Sequence, residues 1–181
     1  GNMFIYFSAL QSRKNDLRGP DVFVVLDTDD RERNSWVVWE ENGRTPDVII
    51  ELLSASTEDV DRGRKMQIYA QRLRTSAYFL YDPFTLELEG YTLDSLRRQY
   101  LPIPAEADGR VRCAPLNLWL GVRPTRAGHV HAPMLRWIDA DDRVLPNDEE
   151  RLRHTDQRAE QEAQRAEQEA QRAEQEAQRA E

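Results

Sequence analysis

One stretch of the sequence decides the fold: TPDVIIELLSAST, at residues 45–57. Its run from Val48 to Leu53 is apolar except for Glu51. A continuous apolar run of this length is typical of a strand that is covered on both faces of a sheet. Glu51 is therefore expected to be at least partly buried. A buried carboxylate without a partner is costly or gives up its charge, so a cation, a metal ion or hydrogen-bond donors should lie beside it.

A helix is predicted directly after this strand, from Thr57 to about Leu73. Ser56 is in position to cap the helix, with Asp59 three residues further along the chain. Acidic residues in the first turn suit the positive end of the helix dipole. Four residues at helical spacing form the predicted apolar side: Val60, Ile68, Tyr69 and Leu73.

Lys65 is the candidate partner of Glu51. It lies three and four residues before Ile68 and Tyr69, so it shares their face and is expected to point toward the sheet. The sequence has only two lysines, Lys14 and Lys65, against 23 arginines, which favours a specific need for a compact ammonium group. A surface lysine that packs its stem and extends its ammonium into water is equally compatible with the helix alone.

The rest of the chain reads as short strands and turns. A strand opening on Pro20 and Asp21 is predicted through Leu26, and it repeats the Pro-Asp start of the central stretch. Residues 77–82 and 86–91 predict an antiparallel hairpin. The weaker segments are a strand at 3–8, a polar turn at 11–19, a strand or turn at 36–39, and short strands or a cap at 100–103, 111–114 and 116–122. This order predicts an α/β or α+β sheet domain.

Length and composition limit the number of domains and the classes of function that the chain can have. A chain of 181 residues with a formal charge of -8 predicts one domain plus an extension. Residues 148–181 carry 11 acidic and 6 basic side chains, so residues 1–147 are nearly neutral and charge alone gives no support for nucleic-acid binding. A single cysteine, Cys113, excludes an internal disulfide. With no transmembrane run and no signal peptide, we expect a cytoplasmic protein.

From residue 148 the composition changes abruptly, and residues 157–181 repeat the heptad QRAEQEA. Alanines recur at alternating spacings of four and three: Ala159, Ala163, Ala166, Ala170, Ala173, Ala177 and Ala180. This pattern predicts a coiled-coil helix and a possible homodimer. Alanine buries little surface, and a solvated single helix stabilised by Glu and Arg pairs is the alternative.

Several short motifs, taken together and in this order, resemble those of a known protein family. They are GPD at 19–21, PD at 46–47, ELLS at 51–54, ST at 56–57, then Asp61, Lys65 and Tyr69, and YFLYDP at 78–83. Together they resemble the widespread bacterial family of restriction-endonuclease-like proteins of the Uma2 type, which is abundant in cyanobacteria. Residues 116–120 and 135–137, Leu145 and the acidic helical tail are similar to the C-terminal half of the same family.

The resemblance implies a PD-(D/E)XK nuclease core, a mixed central sheet with flanking helices that presents two acids and a lysine. Carried over by position, Asp21 is the first acid and Glu51 the second. The lysine usual two residues after the second acid is absent, since Leu53 stands there, and Lys65 on the next helix would replace it. The sequence begins at Gly1, so we expect that a helix before the first strand is missing from residues 1–147.

The chemistry of phosphodiester hydrolysis explains these residue types. A hard divalent cation, Mg²⁺ or Mn²⁺, supplies charge stabilisation and an activated water, and it prefers oxygen ligands. Asp21 and Glu51 would bind the metal, with the carbonyl of Leu52 as a third ligand. Lys65 would hold the attacking water and offset developing negative charge.

Other residues carry weaker signals. Asp47 lies four residues before Glu51, about 13 Å away along a strand, so it is interpreted as a strand-entry residue. Asp61 is placed to pair with Lys65 along the helix. His129 and His131 alternate along a candidate strand, but no third metal ligand accompanies them. The arginines around Lys65 suit either phosphate contacts or a solvated face: Arg62, Arg64, Arg72 and Arg74.

Two classes of function follow. The first is a metal-dependent endonuclease or nickase acting on DNA, which the set Asp21, Glu51 and Lys65 favours. The alternative is a non-catalytic interaction protein that keeps the nuclease fold and associates through its coiled-coil tail. The acidic balance of the chain and its late start favour this second class.

Overall fold

The computed structural model of the protein describes residues 3–8, 17–127 and 130–180. The chain divides into two compact units, residues 1–144 and residues 145–181. The first unit contains all the strands, and the second is dominated by one long helix. The predicted turn at 11–19 falls mostly outside the described residues, as does His129.

Eleven strands are present in the described part of the first unit. In chain order they are β1 Phe4–Tyr6, β2 Leu17–Arg18, β3 Val22–Val24, β4 Ser35–Val37, β5 Val48–Leu52, β6 Ala77–Tyr81, β7 Leu88–Asp94, β8 Gln99–Ile103, β9 Val111–Cys113, β10 Leu118–Ala127 and β11 Val130–Ile138. They form a five-stranded sheet of order β3-β5-β6-β7-β8 and two three-stranded sheets of order β2-β1-β4 and β11-β10-β9.

The five-stranded sheet is mixed, as the resemblance implied. Strands β5 and β6 run parallel, with Glu51 beside Leu80, and every other neighbouring pair in this sheet is antiparallel. Two adjacent parallel strands need a crossover connection, which the helix between them provides. The predicted hairpin of residues 77–82 and 86–91 is confirmed as β6 and β7.

The crossover helix, residues 58–73, is called α1 here. It consists of four consecutive segments, two α-helical and two π-helical: Glu58–Val60 (α), Asp61–Lys65 (π), Met66–Ile68 (α) and Tyr69–Leu73 (π). It ends at Arg74, which has a left-handed backbone conformation (φ 54°). π-Helical segments are rare and frequently occur at functional sites.

Two predictions about α1 are wrong. The residue that precedes its first turn is Thr57, whose side chain makes no capping bond. The hydroxyls of Thr57 and of Ser56, the predicted cap, both pair with the Ser54 hydroxyl instead. The amides of Thr57 and Glu58 are satisfied by the carbonyl of Ser54. Val60, predicted on the apolar side, is 48% exposed.

Hydrophobic residues cover both faces of the central sheet. One face packs against α1 and the β1–β4 sheet through a cluster that includes Ile49, Leu53, Tyr69 and Tyr78. The other packs against β9 and β10 through a cluster that includes Ile50, Phe79 and Val111. Strands pack closely there: a Cβ on Gly90 would lie 2.5 Å from Val111 Cγ1. Burial on both faces explains why the run from Val48 to Ile50 has no polar residue.

The second unit contains the helix α2, Asp148–Ala180. Asn147 starts it with a reciprocal capping box: Asn147 Oδ1 accepts from the Glu150 amide at 2.8 Å, and Glu150 Oε2 accepts from the Asn147 amide at 2.9 Å. Ala159, Ala163 and Ala166 are exposed. Among the described residues, no helix combines the length and the apolar character needed to cross a membrane.

Candidate active site

Glu51 lies on β5 with its side chain on the face that packs against α1. The side chain is 1% exposed, as the apolar run around it predicted. Alternation along the strand puts it on the same face as Ile49 and Leu53, which belong to the hydrophobic cluster under the helix. A carboxylate in such surroundings needs partners, and the structure provides two.

Each oxygen of the Glu51 carboxylate accepts from a different donor on α1. Tyr69 Oη donates to Oε1 at 2.7 Å, and Lys65 Nζ donates to Oε2 at 3.0 Å. Burial nevertheless raises the pKa of Glu51, because the hydrogen bond from Tyr69 and the charge of Lys65 offset only part of the desolvation. Burial and the neighbouring carboxylate also raise the pKa of Tyr69, so its hydroxyl keeps its proton.

A second buried carboxylate, Asp61, lies beside the same lysine. Its side chain is 1% exposed, and its Oδ1 lies 2.7 Å from Lys65 Nζ. Tyr78 Oη donates to the Asp61 backbone carbonyl at 3.0 Å, which fixes this turn of the helix to β6. Burial alone lowers the pKa of Lys65, but the carboxylates of Asp61 and Glu51 outweigh it, so the pKa is raised and the ammonium is retained.

The irregular form of α1 explains how Asp61, Lys65 and Tyr69 share one face. Residues four apart in a regular α-helix are rotated by about 40° from one another, so two such steps move a side chain by about 80°. The π-helical segments have wider turns and reduce this drift. One of these segments runs from Asp61 to Lys65, and the other begins at Tyr69.

Asp21 is placed at the carboxyl end of β5 by the pairing of β3 with β5. Val22 pairs with Ile50 in the antiparallel register, so Asp21 lies level with the end of the strand that carries Glu51. Asp21 Oδ2 accepts from the Leu52 amide at 2.7 Å, and no described residue donates to Oδ1. Asp21 is exposed and Leu52 is 44% exposed, so this end of β5 is open to solvent.

The other candidates have structural contacts. Asp47 Oδ2 accepts from the Leu26 amide at 2.8 Å, which ties the start of β5 to the segment after β3. Arg62 donates to Glu58 at 2.8 Å and to Glu89 at 2.8 Å, so it joins α1 to β7. Arg72 lies over the Phe7 ring at 4.7 Å. His131 is exposed and pairs with Arg126 in the β10–β11 hairpin.

Asp21 and Glu51, at this end of β5, carry carboxylate oxygens, the donor type that hard divalent cations prefer. Asp21, Glu51 and Asp61 contribute three negative charges and Lys65 one positive charge, a formal sum of -3 + 1 = -2. Across the described ranges, no group of three or more His, Cys, Asp or Glu side chains is arranged to hold a metal ion. Two carboxylates and water satisfy Mg²⁺, which keeps several of its waters.

Tyr69→Phe removes one of the two donors to Glu51 and leaves a buried carboxylate oxygen unsatisfied. We expect it to lower the free energy of unfolding by about 2 kcal/mol, the usual range for a hydrogen bond to a charged group. Urea denaturation measures this. Tyr100→Phe is the matched control: its hydroxyl donates to the neutral Thr75 carbonyl at 2.9 Å, so the expected loss is about 1 kcal/mol. Equal losses in the two variants would contradict the special role of Tyr69.

The mixed central sheet, with the crossover helix α1 between its two parallel strands, is consistent with a restriction-endonuclease-like fold. The chain belongs to the Uma2 family, described as "Putative restriction endonuclease", whose model matches residues 2–123. It is also 33% identical over 72 residues to an uncharacterised protein of Synechocystis sp.; the match covers 40% of this chain and 35% of that protein. The family description suggests a nuclease-like function.

Proposed function

We propose that this protein is a metal-dependent endonuclease that hydrolyses phosphodiester bonds in DNA. One observation carries the proposal: the buried Glu51 carboxylate is held by Lys65 and Tyr69 at the end of β5, where Asp21 also reaches. A structural role alone gives no reason to desolvate an acid at a solvent-open end of the sheet. Membership of a family described as restriction endonucleases supports the same activity.

Glu51 and Asp21 would hold the metal, Mg²⁺ or Mn²⁺, with the backbone carbonyl of Leu52 as a third ligand. A bound divalent cation lowers the pKa of a coordinated water and stabilises negative charge on the phosphoryl oxygens. Each Glu51 oxygen accepts one hydrogen bond from α1 and keeps a further lone pair, because a carboxylate oxygen has two. Tyr69 and Lys65 thereby fix the orientation of the carboxylate before any metal arrives.

Lys65 acts in this proposal as a charged donor. Its ammonium has three N–H groups, of which Glu51 and Asp61 engage part, and the side chain remains 21% exposed. An N–H is thus available to orient the attacking water and to stabilise charge on the phosphoryl group. Because its pKa is raised, Lys65 keeps its proton and does not serve as the general base.

The proposed activity is tested by incubating the protein with supercoiled plasmid, single-stranded DNA and RNA in Mg²⁺ or Mn²⁺. We expect nicking or linearisation of the plasmid that EDTA abolishes and that added metal restores. The control is Asp47→Asn. This change neutralises a carboxylate directly before β5 that bonds to the Leu26 amide and does not contact Glu51. The absence of cleavage on every substrate, with no metal binding to the folded chain, would favour the non-catalytic interaction protein.

Self-association through α2 is a further part of the proposal. If Ala163 and Ala166 occupy the seam positions a and d, the flanking positions are Glu162 and Glu167. Two copies of such a helix bring glutamates together on both sides of the seam. The alanines of the seam therefore hold two helices together only weakly, because they bury little surface. The glutamates on either side of the seam repel those of the second copy.

We expect the self-association to strengthen with salt, because screening weakens the repulsion between glutamates. Sedimentation velocity of the whole chain at about 50 mM and about 500 mM NaCl measures this, with the chain ended at residue 147 as the control. A monomer at both salt concentrations and at high protein concentration would show that α2 is a solvated single helix.

A further inference from the structure

Lys65 Nζ lies between two buried carboxylates from different elements. Glu51 Oε2, on β5, is 3.0 Å away, and Asp61 Oδ1, on the same helix as Lys65, is 2.7 Å away. Glu51 would be a ligand of the metal under the proposed function, but Asp61 has no role in that chemistry. The contact with Asp61 is the shorter of the two.

We propose that Asp61 is a positioning residue that holds the Lys65 ammonium against Glu51 at the open end of β5, without touching metal or substrate. This inference rests on the proposed function for its effect on cleavage. The arrangement of the three side chains is tested independently of any activity.

The Asp61 carboxylate has little else to do in the fold. Within the described part of the chain, Lys65 supplies its one cationic partner, and Oδ1, which lies 2.7 Å from Lys65 Nζ, has no other donor. It caps no helix, since its side chain bonds to no backbone amide of the described residues. Keeping a carboxylate 1% exposed under these conditions costs stability, and among the described side chains Lys65 alone offers a compensating charge.

Asp61 itself is rigidly placed. Its backbone carbonyl accepts from Tyr78 Oη at 3.0 Å, and the Tyr78 ring packs edge-on against Tyr69 with a centroid distance of 5.4 Å. The pair of tyrosines therefore holds two groups in place: Asp61, which binds Lys65, and the Tyr69 hydroxyl, which donates to Glu51. A lysine with a flexible four-carbon stem and a side chain that is 21% exposed would otherwise extend its ammonium into water.

The test compares Asp61→Asn with Asp59→Asn, the same change at an exposed carboxylate on the first turn of α1. NMR detection of lysine ammonium groups reads the position of Lys65 directly, because an immobilised, paired ammonium gives a slowly exchanging signal. The chain has only two lysines, so a Lys14→Arg background leaves the Lys65 signal alone. Cleavage kinetics are measured on the same samples.

We expect the Lys65 ammonium signal in the unchanged chain and in Asp59→Asn, and its loss in Asp61→Asn. We expect kcat for DNA cleavage to fall at least about tenfold in Asp61→Asn with KM within about twofold, since an interaction that acts in the transition state is lost. Asp61→Glu, which keeps the charge, should restore part of both the signal and kcat.

An unchanged Lys65 signal together with unchanged kcat in Asp61→Asn would overturn the inference. If Asp61→Asn does not fold, the decisive readout is the wild-type chain, where Lys65 ammonium protons should show cross-peaks to the Asp61 side chain. A visible Lys65 signal without those cross-peaks would overturn it too. A wild-type chain that gives the expected signals but cleaves nothing would refute the proposed function and leave the geometry of Asp61 and Lys65 standing.

Discussion

Replacement of Glu51 by glutamine is expected to abolish metal-dependent DNA cleavage and, at the same time, to stabilise the fold. Cleavage should fall by at least about 100-fold, because a carboxylate oxygen that would hold the metal becomes neutral. Stability should rise by about 1 kcal/mol, because a buried charge is replaced by a neutral group of the same shape. Lys65 keeps a counter-ion in this variant, since Asp61 lies 2.7 Å from its ammonium.

The pH dependence of this stability gain has a definite sign. Burial raises the pKa of Glu51 in the folded state, so the native protein holds this proton more tightly than the unfolded chain does. Glu51 therefore favours folding while it is protonated, and this contribution is lost as the pH rises from its ordinary pKa through the raised one. Glutamine loses nothing over that range.

Thermal and urea denaturation of wild type and Glu51→Gln at several pH values measure the effect. The advantage of the variant should be largest near pH 8 and should shrink as the pH approaches the range in which Glu51 is protonated in both states. Glu89→Gln is a control, because hydrogen bonds from Arg62 lower the pKa of Glu89, so its neutral variant should be destabilised at neutral pH. A Glu51→Gln variant less stable than wild type at every pH would contradict this account.

Lys65→Met should have the opposite effect on stability. It leaves the carboxylates of Glu51 and Asp61, both 1% exposed, without the ammonium that lies between them. Removal of one member of a buried ion cluster typically costs 3–5 kcal/mol, and because the Lys65 side chain is 21% exposed we expect about 3 kcal/mol. Cleavage should be lost as well, since the charged donor at the end of β5 is gone.

Acid should rescue this variant in part. Burial raises the pKa of Glu51, so as the pH falls Glu51 binds a proton and one of the uncompensated negative charges disappears. The stability deficit of Lys65→Met should therefore be smaller near pH 5 than near pH 8. Urea denaturation at both pH values tests this. Arg64→Met, one residue away at an exposed position of the same helix, is the matched control and should cost less than about 1 kcal/mol at either pH. A deficit independent of pH would show that lost packing, not charge, is responsible.

The two variants together distinguish an ion cluster from a simple pair. In a simple pair, removal of either partner leaves one unpaired charge, and both changes destabilise. Here the cluster has two carboxylates and one ammonium, and so an excess of buried negative charge. Removing a carboxylate reduces that excess, whereas removing the lysine increases it. The opposite signs follow from the presence of Asp61.

Much of the sheet could be predicted from the sequence, because burial on both faces leaves a strong signature. The apolar run from Val48 to Leu53 predicted the central strand, and Glu51, the single polar residue in it, was predicted to be buried. The strand run at residues 77–82 and the alternation at 86–91 predicted the β6–β7 hairpin. Strand β11 was anticipated only around His129 and His131, since its residues alternate weakly and include Pro133.

The site was harder to predict because its contacts depend on the local form of α1. The direction of Lys65 could be inferred from its spacing to Tyr69, but Tyr69 itself was interpreted as a core residue. The Tyr69 hydroxyl reaches Glu51 because of the way α1 packs along β5, and a local sequence pattern does not reveal that packing. The recurrence of Asp61, Lys65 and Tyr69 at steps of four was the available signal, because residues four apart lie near one another on a helix. The π-helical segments bring the three side chains closer to one line than a regular α-helix would.

The N-terminal cap of α1 was mispredicted for a related reason. Ser56 matches the usual capping pattern, yet the chain leaves β5 through a tight turn in which the Ser54 carbonyl already accepts the two amides. Competition between backbone and side-chain acceptors decides such caps, and the sequence motif does not record it.

The central claim is that the carboxylates at the end of β5 bind a catalytic divalent cation, and Mn²⁺ binding measured by isothermal titration calorimetry tests it most directly. Wild type, Glu51→Gln and Asp21→Asn would be compared, with Asp47→Asn as the control at the start of the same strand. We predict one Mn²⁺ site in the wild type and in Asp47→Asn, weakened at least about tenfold in both other variants. Equal Mn²⁺ affinity in all four proteins, or none in the folded wild type, would contradict the account.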